Sequence, residues 1–123
     1  MLTTAEVAHK LIEYVREGAP EKARDELYSP DVISVEANPN SPDIVGLESI
    51  KKKNAERNDL AEIHAVEISD PLITKNYFVV TYDIDATYPE LGERSSEDEV
   101  AIYRVKHGKI VREEYVYDMP DDD

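Results

Sequence analysis

The sequence predicts an α+β fold, a cone-shaped half-barrel in which three N-terminal helices pack on a curved, mostly antiparallel sheet. Three observations support it: apolar residues recur at helical spacing in much of the first half, apolar and polar residues alternate in the second half, and Gly or Pro separates the segments. A length of 123 residues suits one domain, which we assign to residues 1–118. Helices that close a curled sheet of this size leave a cavity between the two layers.

The first two helices have clear start and stop signals. Thr3-x-x-Glu6 is a capping box, and Gly18 is a suitable C-terminal stop. Pro20 stands at a first helical position and opens a short second helix, which must end before Pro30.

The third predicted helix runs from residue 46 to 58 and has one polar residue in its apolar stripe. Leu47 and Ile50 begin the stripe, and Asn54 follows on the same face. A buried amide needs a hydrogen-bond partner. We therefore expect Asn54 to line the cavity and bind a ligand there.

The remaining segments have the pattern of strands. A first strand is predicted at residues 32–37, followed by an exposed loop at 37–43. Three successive hairpins should then join four antiparallel strands, with a second loop at 88–96. The predicted strands are 63–73 with a bulge at Asp70-Pro71, 77–87, 97–106 and 109–118.

Composition excludes several classes of function. The formal net charge of −14 argues against nucleic acid and anionic membranes as partners. The absence of cysteine excludes disulfides, thiolate metal sites and cysteine nucleophiles. The three histidines lack metal-ligand spacing, and phosphate-binding glycine loops are missing, so we expect no metal and no cofactor.

Location and termini give further expectations. No apolar stretch approaches the roughly 18–20 residues that span a bilayer, and the first residues do not form a signal peptide, so we expect a cytoplasmic protein. The acidic segment 119–123, which contains three aspartates, should form a disordered tail.

Two stretches carry a family resemblance. LYSPDVISVE at residues 27–36, followed by GLESI at 46–50, and VKHGKIVREEY at 105–115 together resemble the SnoaL-like branch of the nuclear transport factor 2-like superfamily. That branch includes polyketide cyclases and ketosteroid isomerase-like proteins of cystatin-like fold. The resemblance implies that inward strand positions carry the chemistry.

On this basis we predict Glu36 and Glu113 as catalytic carboxylates. The resemblance implies that Glu36 matches a proton-shuttling base, and a carboxylate in a semi-apolar cavity has a raised pKa, more so beside a second acid. Tyrosine hydroxyls could donate to an enolate-like oxyanion. The predicted ligand-binding residues are Asn54, His64, Tyr82, Glu99, Tyr103, Tyr115 and Tyr117.

Two functions stay open. The first is a cofactor-free acid/base enzyme of isomerase, cyclase or dehydratase type, acting on a small apolar or carbonyl-containing ligand; the acidic, tyrosine-rich interior favours it. The second is a non-catalytic ligand-binding or dimeric protein-association module. It is favoured because Leu11 and Ala101 stand where the isomerases have an oxyanion-binding tyrosine and acid.

The outer sheet face gives an expectation about assembly. Tyr77, Val79 and Ile102 make this face too apolar for a free surface, so we predict a homodimer that buries it.

Overall fold

The computed structural model describes residues 1–118, so the predicted acidic tail at 119–123 lies outside the described residues. Within the described residues there are three helices and seven strands. The elements are α1 (Thr4–Arg16), α2 (Pro20–Leu27), β1 (Tyr28–Val35), β2 (Ile44–Val45), α3 (Leu47–Leu60), β3 (Glu62–Ile68), β4 (Leu72–Ile73), β5 (Tyr77–Tyr88), β6 (Glu93–Lys106) and β7 (Lys109–Val116).

The predicted helix signals are confirmed. In the capping box, the Glu6 amide donates to Thr3 Oγ1 at 3.1 Å and the Thr3 amide donates to Glu6 Oε1 at 2.9 Å. Gly18 ends the first helix with a φ of +77°, which glycine adopts without strain. Pro20 occupies the first position of α2.

The strands form one open, mixed sheet with the order β2-β1-β7-β6-β5-β3, and β4 pairs with β5 beside this path. The predicted antiparallel meander of β3, β5, β6 and β7 is confirmed. β1 joins it by parallel pairing with β7, and Ser34 stands opposite Glu113. The predicted α+β fold class is therefore confirmed.

The predicted loop at 88–96 is wrong. β6 begins at Glu93, and only residues 89–92 separate it from β5. Residues 93–98 are exposed, so they have no apolar alternation to mark a strand. Cross-strand pairs stabilise this end: Arg94 bonds both Asp85 oxygens at 3.0 and 2.8 Å, and Ser96 donates to Asp83 at 2.5 Å.

The ends of the first strand also differ from the prediction. β1 begins at Tyr28 rather than residue 32, because α2 leads directly into it. The two-residue β2 was not predicted; it pairs Val45 with Ile33.

The helices cover the inner face of the sheet, where the core lies. Even-numbered residues of β5 point inward, and the Phe78 ring stacks on Tyr103 with centroids 4.7 Å apart. Between this core and the helices an open cavity remains. No helix within residues 1–118 is long and apolar enough to cross a membrane.

Candidate functional site

The inner face of the sheet and the three helices enclose a cavity of about 750 Å³. That volume suits a small organic molecule. All the predicted site residues except Tyr117 line this cavity. The Tyr117 hydroxyl donates a hydrogen bond to Glu36, which is part of the lining. The predicted residues in the lining are Glu36, Asn54, His64, Tyr82, Glu99, Tyr103, Glu113 and Tyr115.

Strand register sets which of these side chains are neighbours. Tyr82 of β5 stands opposite Glu99 of β6, and Tyr103 of β6 stands opposite Glu113 of β7. Directly opposed residues on one face have Cβ atoms about 5 Å apart. The register therefore places a carboxylic acid beside a phenol in two places on the cavity wall.

Glu113 forms the deeper of the two clusters. Its side chain is only 2% exposed, and its Oε2 accepts hydrogen bonds from the hydroxyls of Tyr28 and Tyr115, the latter at 3.0 Å. Burial, and then the neighbouring Glu113 charge, raise the pKa of both tyrosines well above the usual value. Both phenols therefore stay protonated and serve as donors. Glu114, the next residue, pairs instead with Arg112 at 3.1 Å.

Glu36 lies near the rim. One of its oxygens accepts from Lys53 Nζ at 3.1 Å, and the other accepts from the Tyr117 hydroxyl at 2.9 Å. Burial and this hydrogen bond raise the pKa of Tyr117 to about 12. Both Glu36 oxygens are thus already engaged by protein donors.

Glu99 has a different environment. Within residues 1–118 no hydrogen bond reaches its carboxyl group. Burial raises its pKa to about 6, the charge of Arg57 opposes the shift, and nearby carboxylates, including Glu36, add to it. Near neutral pH such a group can both take and return a proton.

Tyr82 supplies a hydroxyl beside Glu99. The Tyr82 and Tyr103 hydroxyl oxygens are 2.7 Å apart. We assign Tyr103 as the donor, because within residues 1–118 its hydroxyl has no other partner and it is 1% exposed. The Tyr82 proton is then free to point into the cavity. Burial raises the pKa of Tyr82 above its usual value, which keeps that proton in place.

Asn54 and His64 sit at the helical side and the rim of the cavity. Asn54 Nδ2 donates to the Ile50 carbonyl at 2.9 Å, one turn back in α3. His64 Nε2 lies 2.6 Å from Thr87 Oγ1 on the neighbouring strand, and its side chain is exposed. The structure therefore leaves His64 apart from the carboxylate and tyrosine clusters.

Several cavity residues were not predicted. Tyr28 is the first residue of β1 in the structure, but the predicted first strand begins only at residue 32. The alternation of apolar and polar residues therefore gave no indication that the Tyr28 side chain points into the cavity. Arg24, Lys53 and Arg57 line the cavity from α2 and α3. Their sequence context resembles that of any solvated helix face, and only the packing of the helices on the sheet turns them inward.

A second hollow, of about 350 Å³, lies on the outer face of the sheet. It is lined by Glu67, Asp83 and the Asp85–Arg94 ion pair, among others. Its polar groups are largely paired with each other, so we place the candidate site in the inner cavity. Within residues 1–118 no three His, Asp or Glu side chains are arranged to hold a metal ion.

Comparison with known proteins shows the family and agrees with the fold. The family model for the SnoaL-like domain matches residues 2–117, and the chain belongs to that family. A Mesorhizobium loti protein described as a candidate SnoaL-like polyketide cyclase, and also named a carbohydrate phosphatase, shares 30% identity. The match covers 94% of this chain and 100% of that one, with a TM-score of 0.89.

Two more distant structures share the fold. A Xanthomonas campestris protein of unknown function with a cystatin-like fold is 17% identical, with a TM-score of 0.80 over 98% of this chain and 95% of that one. TerC, co-crystallised with polyporic acid, is 18% identical, with a TM-score of 0.71 over 94% and 91%. Among proteins of curated function, none matches this sequence significantly.

Proposed function

We propose that this protein binds a small carbonyl compound in the inner cavity and transfers a proton at the carbon beside the carbonyl group. Glu99 is the proton acceptor and donor, and the Tyr82 hydroxyl holds the carbonyl oxygen. The observation that carries the proposal is the position of Tyr82 directly across the strand pair from Glu99, a carboxyl group that accepts no hydrogen bond within residues 1–118 and whose pKa burial raises to about 6.

The reaction needs no oxidant or cofactor. The Glu99 carboxylate takes the α-proton, the C–H electron pair forms the new carbon–carbon double bond, and the carbonyl π electrons move to oxygen. Tyr82 donates a hydrogen bond to that oxygen, on which negative charge develops. Glu99 then returns the proton to a carbon, which completes an isomerisation or prepares a ring closure.

Glu36 and Glu113, predicted as the catalytic pair, take supporting roles in this proposal. Tyr28 and Tyr115 donate to Glu113, while Lys53 and Tyr117 donate to Glu36. These hydrogen bonds occupy both oxygens of Glu36 and one oxygen of Glu113, Oε2. Glu113 instead fixes the tyrosine-lined floor of the cavity, and Glu36 its rim.

The family supports this class of ligand. A SnoaL-like relative at 30% identity is described as a candidate polyketide cyclase, and TerC, with the same fold, was crystallised with an organic acid. Ring closure in polyketides begins with deprotonation beside a carbonyl group, which is the step proposed for Glu99.

Hydrogen exchange of 2-tetralone, a bicyclic ketone, tests the proposal. In D₂O we expect the wild-type protein to accelerate exchange of its α-hydrogens, followed by NMR. Glu99→Gln should lower the protein-dependent rate by about 10²-fold or more, since it removes the general base. Tyr82→Phe should lower it about tenfold or more.

Asp98→Asn and Tyr77→Phe are the matched controls, because both residues point to the outer face and should leave the rate unchanged. Exchange in Glu99→Gln as fast as in the wild type would refute the proposed base. Binding of the planar phenol 2-naphthol to the cavity with no exchange in any variant would favour the non-catalytic ligand-binding alternative.

A further inference from the structure

The cavity wall has a charge balance unlike that of the whole chain. The chain carries a formal net charge of −14, whereas four acidic and four basic side chains line the cavity. Two of the four cations are paired: Lys53 with Glu36 at 3.1 Å, and Arg16 with Asp70 at 3.1 Å.

Arg24 and Arg57 are the remaining cations. Within residues 1–118 neither guanidinium group has an ion pair or a side-chain hydrogen bond, and both residues are half-buried. Partial burial of a charge without a partner is unfavourable. Both side chains also belong to a cavity where a ligand could supply that partner.

The two arginines line the same cavity as the proposed reacting groups. Arg24 comes from α2, and its charge acts on the Tyr82 hydroxyl. Arg57 comes from α3, and its charge acts on the Glu99 carboxyl group. A ligand bound at Tyr82 and Glu99 therefore lies in the electrostatic field of both guanidinium groups.

We infer that the natural ligand is an organic anion, a carbonyl compound that also bears a carboxylate, and that Arg24 and Arg57 hold this carboxylate. Guanidinium groups bind carboxylates through paired, charge-assisted hydrogen bonds. A singly charged group fits better than a phosphate, because four carboxylates share the wall and only two cations are free. The inference deepens the proposed function and rests on it.

Fluorescence titration with two naphthalene probes at pH 7.5 tests the inference. 2-Naphthol has only the oxygen that Tyr82 would bind, and 6-hydroxy-2-naphthoate has the same oxygen plus a carboxylate. In the wild-type protein we expect the carboxylate probe to bind at least tenfold more tightly. The preference should fall to less than threefold in Arg24→Gln and in Arg57→Gln, and decrease as salt is added.

Arg24→Lys should retain part of the preference, because it keeps the charge, and thermal unfolding verifies that each variant folds. Arg104→Gln is the control, since Arg104 lies over the Tyr77 ring on the outer face. Equal affinity of the two probes in the wild type would overturn the inference, while Glu99-dependent exchange of 2-tetralone would leave the proposed function standing. Binding of neither probe would overturn both.

Discussion

Glu99 differs from the other cavity carboxylates in what surrounds its oxygen atoms. Glu36 and Glu113 accept hydrogen bonds from tyrosine or lysine, whereas Glu99 is desolvated without such donors in the described chain. Desolvation disfavours the charged form of a carboxyl group. The same property that suits Glu99 to proton transfer should therefore cost stability.

Glu99→Gln should make stability less dependent on pH. Because burial raises the folded-state pKa from 4.5 to about 6, the unfolded chain ionises first as pH rises. The loss of folding stability caused by ionising the buried Glu99 carboxyl group is absent below pH 4.5, grows between pH 4.5 and 6, and is complete above that window. We expect wild type to lose about 1–2 kcal/mol relative to Glu99→Gln over this interval, since its partial solvent access limits the effect.

Urea unfolding at pH 4, 5, 6 and 7 measures this difference. Asp98→Asn, on the opposite face of the same strand, should follow the wild-type curve. Parallel pH–stability curves for wild type and Glu99→Gln would place the Glu99 carboxyl group in solvent.

For individual residues, the sequence predicted most of the cavity tyrosines and carboxylates. It did not predict which of them hydrogen-bond to each other. Alternation along β5, β6 and β7 indicates which residues share a face. It does not show that Tyr28 would meet Glu113 or that Arg57 would face Glu99, because those neighbours come from other elements. Long-range packing decides which carboxylate remains without donors.

Among the secondary-structure elements, the hairpin of β6 and β7 has a turn that lies against the N-terminal segment of the chain. His107 and Gly108 have φ of +51° and +72°. These left-handed values suit a tight hairpin. A Cβ at Gly108 would lie 3.0 Å from the Leu2 amide nitrogen and 3.2 Å from its oxygen. The turn therefore lies close against the segment that leads into α1.

Gly108→Ala should be more destabilising than Gly92→Ala. Both glycines have positive φ, and alanine there costs about 1 kcal/mol from backbone strain. A Cβ at Gly92 would meet nothing within 4 Å, whereas at Gly108 it would collide with backbone. We expect the free energy of unfolding, measured in urea, to fall by about 1 kcal/mol in Gly92→Ala and by about 2–3 kcal/mol in Gly108→Ala. Equal losses would show that the N-terminal segment moves aside freely.

Element prediction succeeded where signals are local. The capping box, Pro20 and Gly18 fix the first two helices through contacts within a few residues. The start of β6 was misplaced because residues 93–98 are exposed on both faces and held by the Arg94–Asp85 pair. The parallel pairing of β1 with β7 also had no sequence signal, since it joins distant segments.

For the molecule as a whole, no helix within residues 1–118 covers the outer face of the sheet. We define the outer apolar patch as Leu72, Tyr77, Val79, Val100, Ile102 and Val116. Leu72 is 75% exposed, and it stands beside Val79, which pairs with Ile102. A contiguous apolar surface of this kind is typical of an interface.

We expect a homodimer that buries the outer apolar patch. Ile102→Asp should shift it to monomer in light scattering at micromolar concentration, because the carboxylate would be desolvated at the interface. Leu60→Asp, an equally abrupt change at the end of α3, should leave the assembly unchanged. Association should strengthen with salt, since each copy carries a net charge of −14. A wild-type monomer under these conditions would contradict the prediction.

The pairing of Ser34 with Glu113 has a consequence for how the protein is made. These residues are 79 positions apart, and β1 has no strand neighbour in the described chain except β7 and the short β2. During synthesis β1 therefore gains its long strand neighbour only when β7 emerges from the ribosome, after all three helices have been made. Since Glu36 comes from the early segment and Glu113 from the late one, the ligand site should appear only with the final pairing, and ligand binding should report completion of the chain's folding.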